Sequence, residues 1–522
     1  MSANEERWAL LSVQDTTGVV DFARGLAQRG YRLAATPGTG GILKSAGLEV
    51  TPVEEITGFP LILDGIVKSM HPRILAGIQA DRTNAEDVAE CRANGVPLFD
   101  VVAVNYAGYQ TLGGRLTEHN AVMVAPMALI RAAAGNYKQV LVVAHPRDYP
   151  KALEALAAPE GPSVQVRRTL AREAWNAAMH YDMLVAASLE TEEATPLPTV
   201  LRREYRRVTR LKYGENPHQQ AALYAKPYVP GPCVCCARQL RGEALSYNNV
   251  VDADKAMGVV LEFAAPGAVI IKHALPVSAA VGDHVDDAVR KAFHAEYASR
   301  VGAAVGCNGP VDEQAAKAIV SPGRSIDLVI AADFTDEAVK ILETAQEVTG
   351  ARRLLKVGDV GRPAGTGLHA RVALHHVTGG VLAQTIDSGV YGPGGFHVVS
   401  QRQPADLELI DLEFAYLMAK HTRSNSTVLA KDGATVAVAT AQTSRVEAAY
   451  IALHRAGERA QGAVMASDST LQLPEVSLLA DAGVRAIIQT GGATDEDLKV
   501  LEACNRRGLA MIVTRMRHFS HS

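Results

Sequence analysis

The stretch DLVIAADFTDEAVKILE (327–343) joins an apolar strand to a helix that begins at a Thr-Asp-Glu sequence. The stretch VRAIIQTGGATDEDLKVLE (484–502) repeats this order, with the same apolar spacing in its helix. Upstream of these, GAVIIKH (267–273) and GAVMASD (462–468) form a second matching pair. Such an internal echo predicts a duplicated α/β subdomain, with a ligand site where the two halves meet.

The N-terminal part of the chain also alternates strands and helices. Strand-like segments stand at WALLSV (8–13), YRLAAT (31–36), VVAVNY (101–106) and QVLVVAH (139–145). Apolar residues recur with helical spacing from 19 to 26, and Thr17 is the predicted N-cap of that helix. Alternation with short loops predicts a parallel sheet covered on both faces, whose ligands bind beyond the carboxyl ends of the strands.

The length of the chain predicts more than one domain. At 522 residues it exceeds what one hydrophobic core usually supports. The polar, Pro-containing stretch LETEEATPLPTV (189–200) interrupts the periodicity and is the predicted linker. We therefore expect an α/β protein with domains at residues 1–190 and 200–522.

Composition argues against several classes of partner. A net charge of −4 gives no reason to expect a nucleic-acid partner, although one local phosphate pocket stays compatible with it. No run of 18 apolar residues exists, so we expect no membrane segment. The first residues lack the pattern of a signal peptide. Six cysteines, three of them in one loop, indicate the reduced thiols of a cytoplasmic protein.

Three polar motifs are candidate sites. AVIIKHALP (268–276) ends an apolar strand in Lys272-His273, where an imidazole suits proton removal from a weak amine and an ammonium suits an oxyanion. LKYGENPHQ (211–219) is a dense polar loop, and TPGTGG (36–41) places Thr39 where a helix N-terminus attracts phosphate. Each also has a structural alternative: a solvated strand end, a self-satisfied turn and an ordinary helix start.

Two segments match parts of a zinc-binding signature, but we expect no zinc site. PCVCC (232–236) and HAE (294–296) match the two halves of a zinc deaminase signature. That signature needs the His-x-Glu half first and its cysteines on a helix, whereas here the order is reversed and the cysteines lie in a Pro/Gly-flanked loop. We predict no metal site.

A set of motifs runs in order over nearly the whole chain. Its segments are LLSVQDTTG (10–18), TGFPLILDGIVKSMHPRILAGI (57–78), RAAAGN (131–136), LKYGENPHQ, LSYNNVVDAD (245–254), IIKHALP (270–276), RSNSTVLAKDG (423–433), AQTSRVEAA (441–449), GAVMASD, AIIQTGG (486–492) and MRHFSH (516–521). This ordered set resembles the bifunctional AICAR transformylase/IMP cyclohydrolase family. Eleven segments in the family's order make chance similarity a poor explanation.

The resemblance implies a methylglyoxal-synthase-like N-terminal parallel-sheet domain. It also implies a transformylase domain of two duplicated, cytidine-deaminase-like subdomains without zinc. The implied reaction is formyl transfer from the co-substrate 10-formyltetrahydrofolate to the amino group of AICAR, the aminoimidazole carboxamide ribotide of purine synthesis, with no metal required. Family members are homodimers whose transformylase sites combine residues from both subunits.

The family's site residues carry over position by position. Lys272, His273 and Asn425 match its catalytic Lys, His and Asn. The implied nucleotide-binding residues are Lys212, Tyr213, Gln442, Arg445 and Arg517, with Lys212 standing where the family has Arg.

Departures from the family pattern concentrate in the N-terminal domain. The cyclohydrolase-like residues that remain are Lys68, Thr39, Asn105 and Tyr106. Gly41 and Ile66 replace basic residues, and the position of the catalytic Tyr is Ala107, for which Tyr106 or Tyr109 is a candidate substitute. We predict that cyclohydrolase activity is weakened or that this site is remade for another ligand.

In the implied transformylase domain, the residues that match the family's catalytic groups are retained, whereas several residues expected to line the site differ from the family pattern. The family's aromatic segment beside the pterin reads Ser469-Thr470-Leu471-Gln472-Leu473. Two alternatives to AICAR formylation therefore stay open. One is a paralogue that formylates an aminopyrazole carboxamide in nucleoside-antibiotic synthesis, and the other is a non-catalytic nucleotide-binding subunit.

Overall fold

The computed structural model describes residues 6–106, 123–189, 196–227, 231–295, 301–321, 325–344, 351–360, 372–492 and 494–521. Its contacts divide the chain into two compact units, Met1–Arg202 and Arg203–Ser522. Each unit has its own sheet and hydrophobic core.

The first unit is built on a five-stranded parallel sheet. Its strands are β1 (Arg7–Ser12), β2 (Tyr31–Ala35), β3 (Thr51–Pro52), β4 (Phe99–Val104) and β5 (Leu141–Val143). They are arranged in the order β3-β2-β1-β4-β5, and every neighbouring pair is parallel. The parallel sheet predicted from strand–helix alternation is confirmed.

Helices cover both faces of this sheet. They are α1 (Val19–Ala27), α2 (Pro37–Ser45), α3 (Val53–Thr57), α4 (Pro72–Gln79), α5 (Ala85–Ala93), α6 (Val124–Gly135), α7 (Tyr149–Ala157) and α8 (Val164–Ser188). The apolar residues predicted for α1 are buried. The predicted cap is wrong, because Gly18 in a left-handed conformation precedes α1 and no side chain caps it. The Thr17 N–H instead donates to Asp15 at 3.0 Å.

In the second unit, the described residues form a twelve-stranded mixed sheet. Its strands are β8 (Arg238–Arg241), β9 (Gly267–Lys272), β10 (Leu275–Val281), β11 (Val301–Cys307), β12 (Ser325–Ala331), β13 (Arg353–Lys356), β16 (His397–Val398), β17 (Thr427–Lys431), β18 (Ala434–Ala439), β19 (Val464–Ser467), β20 (Ala486–Gln489) and β21 (Ala510–Val513). Two separate hairpins pair β6 (Arg206–Arg210) with β7 (Ala222–Ala225), and β14 (Val372–Val377) with β15 (Gly380–Thr385).

The helices of this unit fall into two matching sets. The first set is α9 (Tyr247–Val260), α10 (Val285–Ala295), α11 (Glu313–Ile319) and α12 (Asp336–Thr344). The second set is α13 (Asp406–Lys420), α14 (Arg445–Ala456), α15 (Leu473–Asp481) and α16 (Asp495–Arg507). Each half begins with a helix and a hairpin and then alternates helix and strand three times.

The sheet order is also the same in the two halves. It reads β10-β9-β11-β12-β13 in one and β18-β17-β19-β20-β21 in the other, and each pair of neighbours has the same relative direction as its counterpart. The echo correctly pairs β12 and α12 with β20 and α16. It wrongly pairs β9 with β19, because β17 occupies the place of β9. Short apolar strands of similar composition produced that match. A common origin of the two halves stays a prediction.

The two halves meet where β10 lies antiparallel to β18, with Ala280 opposite Ala434. The buried Thr435 hydroxyl accepts the Ala279 N–H at 3.1 Å and donates to the Ala279 carbonyl at 3.2 Å. The Val281 N–H donates to the Gly433 carbonyl at 2.8 Å. This antiparallel contact makes one continuous sheet of the two halves.

A buried ion pair also joins the halves. Glu262, just after α9, accepts hydrogen bonds from Lys420, at the end of α13, at 2.9 and 2.8 Å. His421 Nε2 lies 2.9 Å from the same carboxylate. Burial raises the pKa of Glu262, but the hydrogen bonds and charges of His421 and Lys420 outweigh it and hold that pKa below its ordinary value.

We predict that Thr435→Val lowers the free energy of unfolding by about 1–3 kcal/mol, because it removes the two hydrogen bonds that the buried Thr435 hydroxyl makes to Ala279. Urea unfolding of the purified chain measures this. Thr435→Ser keeps the hydroxyl and is the matched control. An equal loss in both variants would contradict this role of the hydroxyl, since Thr435→Ser keeps the hydroxyl and its two hydrogen bonds.

Candidate functional site

The candidate site lies at one edge of the second unit's sheet, which we call the junction edge. Here β9 turns into β10 at His273 and Ala274, β17 begins after Ser424–Ser426, and β18 ends before Thr440–Gln442. The carboxyl end of β19, followed by Asp468, lies at the same edge because Ser467 pairs with Thr427. The antiparallel β10–β18 contact therefore brings the hairpin turn of the first half to the carboxyl ends of the parallel strands of the second.

The Lys272-His273 pair is presented by a two-residue hairpin turn. Lys272 pairs with Leu275, and the central residues His273 and Ala274 have φ values of 53° and 61°. The His273 side chain is exposed, and the Lys272 ammonium donates to the Val301 carbonyl. Both groups stand at the edge of the sheet and not in its core.

Asp252 of α9 reaches this turn, and sequence reasoning missed it. Its Oδ1 accepts the Ala274 N–H at 2.6 Å. Burial raises the pKa of Asp252; the Ala274 N–H and the charges of His273 and Lys272 oppose that rise, and Asp327 adds to it. The only sequence signal is its position inside LSYNNVVDAD (245–254), seven residues after the loop-like start of that motif.

Asn425 and Gln442 face each other across the start of β17 and the end of β18. Each donates its backbone N–H to the carbonyl of the other at 3.2 Å. The Asn425 side-chain amide also donates to the Gln442 carbonyl at 3.1 Å, and the Gln442 side chain donates to Thr440 at 2.8 Å. The structure therefore brings these two predicted site residues together.

Asp468 organises this part of the edge and was not among the predicted site residues. It is fully buried, and its Oδ1 accepts the Ser426 N–H at 2.8 Å and the Ser426 hydroxyl at 3.0 Å. The Ser424 hydroxyl donates to Oδ2. Its backbone carbonyl accepts the His518 N–H at 3.4 Å, which ties the C-terminal segment to the same edge.

Arg445 and Glu475 lie next to this cluster. Arg445, the first residue of α14, donates to the Thr470 carbonyl at 3.0 Å and its hydroxyl at 2.9 Å. Glu475 is 1% exposed, and its Oε2 accepts the Gln472 N–H at 2.7 Å. Within the described part of the chain, Oε1 of Glu475 has no hydrogen-bond partner. Burial raises the pKa of Glu475 to about 7, against the lowering effects of the Gln472 N–H and Arg445.

Arg517 belongs to the C-terminal segment that the His518 contact ties to the edge. Its side chain is exposed, with the guanidinium carbon 4.9 Å from the centre of the Phe519 ring. The neighbouring His518 is buried, and its Nδ1 lies 2.6 Å from Asp387.

Lys212 and Tyr213 precede α9 at the same end of the sheet, because the Tyr213 carbonyl accepts the N–H of Tyr247, the first residue of that helix. Lys212 is exposed and forms an ion pair with Glu243 at 2.8 Å. Within the same loop, the Gln219 side chain accepts the Asn216 N–H at 2.9 Å.

The opposite edge is less equipped for chemistry. It borders a cavity of about 530 Å³ whose lining is mostly apolar. The polar residues of this lining are His284, Asn308, Asp312 and Thr335. Asn308 Oδ1 accepts the Gly267 N–H at 2.7 Å, which repeats the contact of Asp468 with Ser426. A neutral amide thus stands where the junction edge has a carboxylate.

In the first unit, the side chains of Thr39 and Asn105 form hydrogen bonds with the loop after β1. Thr39 Oγ1 accepts the Val13 N–H at 2.9 Å and donates to the Val13 carbonyl at 3.2 Å. Asn105 Oδ1 accepts the N–H groups of Gln14 and Asp15 at 2.8 and 2.9 Å. Both side chains are buried, at 1% and 4% exposure. Their hydrogen bonds hold the loop after β1 at the carboxyl edge of this sheet.

Tyr106 and Lys68 differ in their surroundings. The Tyr106 hydroxyl donates to the Ala177 carbonyl at 3.0 Å, and its ring packs edge-on against Tyr181. Half-buried Lys68 lies over Gly65, where a Cβ atom would come within 3.6 Å of its Nζ. Ala107 and Tyr109 lie outside the described residues.

The cysteine loop shows no metal-binding arrangement among the residues that can be described. Cys233, Cys235 and Cys236 are free thiols, and burial raises the pKa of Cys235 to about 11. Across the described ranges, no group of three or more His, Cys, Asp or Glu side chains is placed to hold a metal ion. Of the helices described, none has the length and apolar character needed to cross a bilayer.

Comparison with known proteins gives matches over both units. Residues 133–455 match the model of the AICARFT/IMPCHase bienzyme family, and residues 18–123 match that of the MGS-like domain. The bifunctional purine biosynthesis protein PurH of Oceanobacillus iheyensis is 36% identical over 519 residues, which cover 98% of this chain and 99% of that protein. The protein of the same name from Desulfitobacterium hafniense is 38% identical over 529 residues, covering 99% and 100%.

One of several solved structures that match is also similar to this chain. It is titled "Crystal structure of ForH", is 32% identical and covers 35% of this chain and 99% of that chain, with a TM-score of 0.32.

The raised pKa of Glu475 predicts a pH-dependent stability. A carboxyl with a folded pKa of about 7 and an ordinary unfolded pKa of 4.5 keeps its proton in the folded state over that interval. The free energy of unfolding therefore falls as the pH rises from 4.5 towards 7. We expect Glu475→Gln, which retains the capping acceptor, to stabilise the chain by about 1–3 kcal/mol at pH 8 relative to wild type.

Urea unfolding at about pH 5.5 and about pH 8 measures this effect. The exposed Glu447→Gln is the control and should keep the wild-type pH dependence. The same pH dependence in wild type and Glu475→Gln would contradict the assignment.

Proposed function

Because this chain belongs to the AICARFT/IMPCHase bienzyme family, we propose that its Arg203–Ser522 unit transfers a formyl group from 10-formyltetrahydrofolate to the 5-amino group of AICAR. One observation carries the proposal. The turn that carries half-buried Lys272 and exposed His273 shares a sheet edge with Asn425, because β10 lies beside β18 and β18 lies beside β17.

The AICAR amine is a poor nucleophile, because its lone pair is delocalised into the ring. His273 removes a proton from that amine as its nitrogen attacks the formyl carbon. The formyl oxygen becomes an oxyanion, which the Lys272 ammonium stabilises. When the tetrahedral intermediate collapses, the bond from carbon to folate N10 breaks and a proton returns to N10. The Asn425 amide, held by its contact with Gln442, orients the carboxamide or formyl group.

The nucleotide is proposed to bind along the junction edge. Gln442 and Arg445 flank the N-terminus of α14, where backbone N–H groups and the helix dipole favour a phosphate. The exposed cations Lys212 and Arg517 complete the positive surroundings. Tyr213, half-buried before α9, supplies an aromatic face. As in the family that the motifs resemble, we propose that a homodimer completes the site.

For the Met1–Arg202 unit we propose a weakened or altered cyclohydrolase site. The Tyr106 hydroxyl is committed to a backbone carbonyl, and Thr39 and Asn105 are buried in contacts with the β1–α1 loop. Lys68 alone of the four retained residues has a charged group near the surface. These placements support a structural role for three of the four.

A related acceptor is the second candidate. No aromatic ring is present in the segment Ser469-Thr470-Leu471-Gln472-Leu473. Leu471 is buried, and its N–H donates to the Gln489 side chain at 3.0 Å. The wall on this side of the edge thus differs from the aromatic one implied by the family. This favours testing an aminopyrazole carboxamide nucleotide beside AICAR.

We expect His273→Ala to lower the rate of AICAR formylation by about 10²–10⁴-fold, because the amine loses its proton acceptor. The assay follows tetrahydrofolate release with AICAR and 10-formyltetrahydrofolate. His284→Ala, an exposed histidine at the opposite edge, is the matched control and should retain the wild-type rate. Equal activity in both variants would contradict the role of His273. A wild-type chain that formylates neither AICAR nor the aminopyrazole carboxamide nucleotide would support the non-catalytic alternative.

We also expect the full chain to close formyl-AICAR to IMP at least about 10²-fold more slowly than the Oceanobacillus iheyensis relative, because groups that orient the formyl oxygen are replaced. The ring closure is measured by absorbance with both proteins under one set of conditions. Comparable rates would show that the retained residues are sufficient.

A further inference from the structure

The Lys272-His273 turn has an unfavourable local conformation. A two-residue hairpin turn of this kind requires positive φ at both central positions, which Gly, Asn and Asp tolerate best. Here the positions are His273 and Ala274, at 53° and 61°. The equivalent turn of the second half, between β17 and β18, has Asp432 and Gly433, at 55° and 70°. The second turn thus has favourable residues, whereas the first does not.

Both turns are held by an aspartate at the same place in the fold. Asp252 and Asp411 are each the sixth residue of the helix that precedes the hairpin, in α9 (Tyr247–Val260) and α13 (Asp406–Lys420). Asp252 accepts the Ala274 N–H at 2.6 Å. Asp411 accepts the N–H groups of Asp432 and Gly433 at 2.9 and 2.7 Å. The same contact therefore supports a favourable turn in one half and an unfavourable turn in the other.

We propose that Asp252 is a positioning residue for formyl transfer: its carboxylate holds the turn in the left-handed conformation that presents Lys272 and His273 at the junction edge. The inference rests on the proposed function for its effect on rate. Its structural part, the holding of the turn, stands on the hydrogen bond to Ala274 and on the comparison with Asp411.

Asp252 is suited to this role because it is half-buried and its carboxylate accepts a hydrogen bond from the turn itself. Its neighbours within electrostatic reach are Lys272, His273 and Asp327 of β12. Without the acceptor, His273 and Ala274 would relax towards negative φ, which all non-glycine residues prefer. A shift of about 1 Å in a catalytic group is enough to cost about 10²-fold in rate.

We expect Asp252→Ala to lower kcat for formyl transfer by about 10- to 100-fold, while the KM for AICAR and for 10-formyltetrahydrofolate stays unchanged. Asp252→Asn keeps a neutral acceptor and should lose less. Asp411→Ala is the matched control, because Gly433 adopts positive φ without help, and its kcat should stay at the wild-type value. An Asn variant as impaired as the Ala variant would overturn the positioning role, since it would assign the effect to the negative charge.

The double variant Asp252→Ala/Ala274→Gly tests the mechanism of the loss. Glycine tolerates positive φ at no steric cost, so the turn should hold without the carboxylate and kcat should recover at least about tenfold over Asp252→Ala. A double variant as slow as Asp252→Ala would contradict the proposal. Melting temperatures of all variants show whether each chain is folded.

Hydrogen exchange separates this inference from the proposed function. The Ala274 amide should exchange at least about tenfold faster in Asp252→Ala than in wild type, because its acceptor is gone. Unchanged exchange would overturn the positioning role whatever the enzyme does. Faster exchange in a chain that transfers no formyl group would uphold the contact and refute the proposed function alone.

Discussion

The antiparallel contact between β10 and β18 is the constraint on which the rest of the second unit depends. Because β10 begins where β18 ends, the hairpin turn of one half is delivered to the carboxyl edge of the other. A parallel contact would have placed Lys272-His273 and Asn425 at opposite edges. The Thr435 hydroxyl fixes this contact at a fully buried position, and Glu262 with Lys420 adds a second link.

The two halves share an architecture but differ in chemistry. Equivalent turns follow β9 and β17, and equivalent side chains follow β11 and β19. Asn308 and Asp468 occupy those last positions, an amide at one edge and a carboxylate at the other. The predicted site residues of this unit are concentrated at the junction edge, and the other edge is bordered by a cavity whose lining is mostly apolar.

Sequence alone predicted the α/β class and the approximate positions of the strands, because strand–helix alternation and apolar spacing are local signals. It failed where the local backbone conformation or a long-range contact decides. Thr17 does not cap α1, since the chain turns through Gly18 instead. The role of Asp252 was invisible because its partner, Ala274, lies 22 residues along the chain. Tyr106 was predicted as a site residue, but its hydroxyl donates a hydrogen bond to the Ala177 carbonyl.

In the proposed reaction the acceptor amine meets the Lys-His turn at the junction edge. A crystal structure of the full chain with AICAR and a non-reactive folate analogue would locate that amine. We expect the 5-amino nitrogen within about 3.2 Å of the His273 imidazole, or joined to it by one water, with Asn425 bordering the same pocket. Nucleotide bound at the opposite edge, or with its amine turned away from His273, would contradict it.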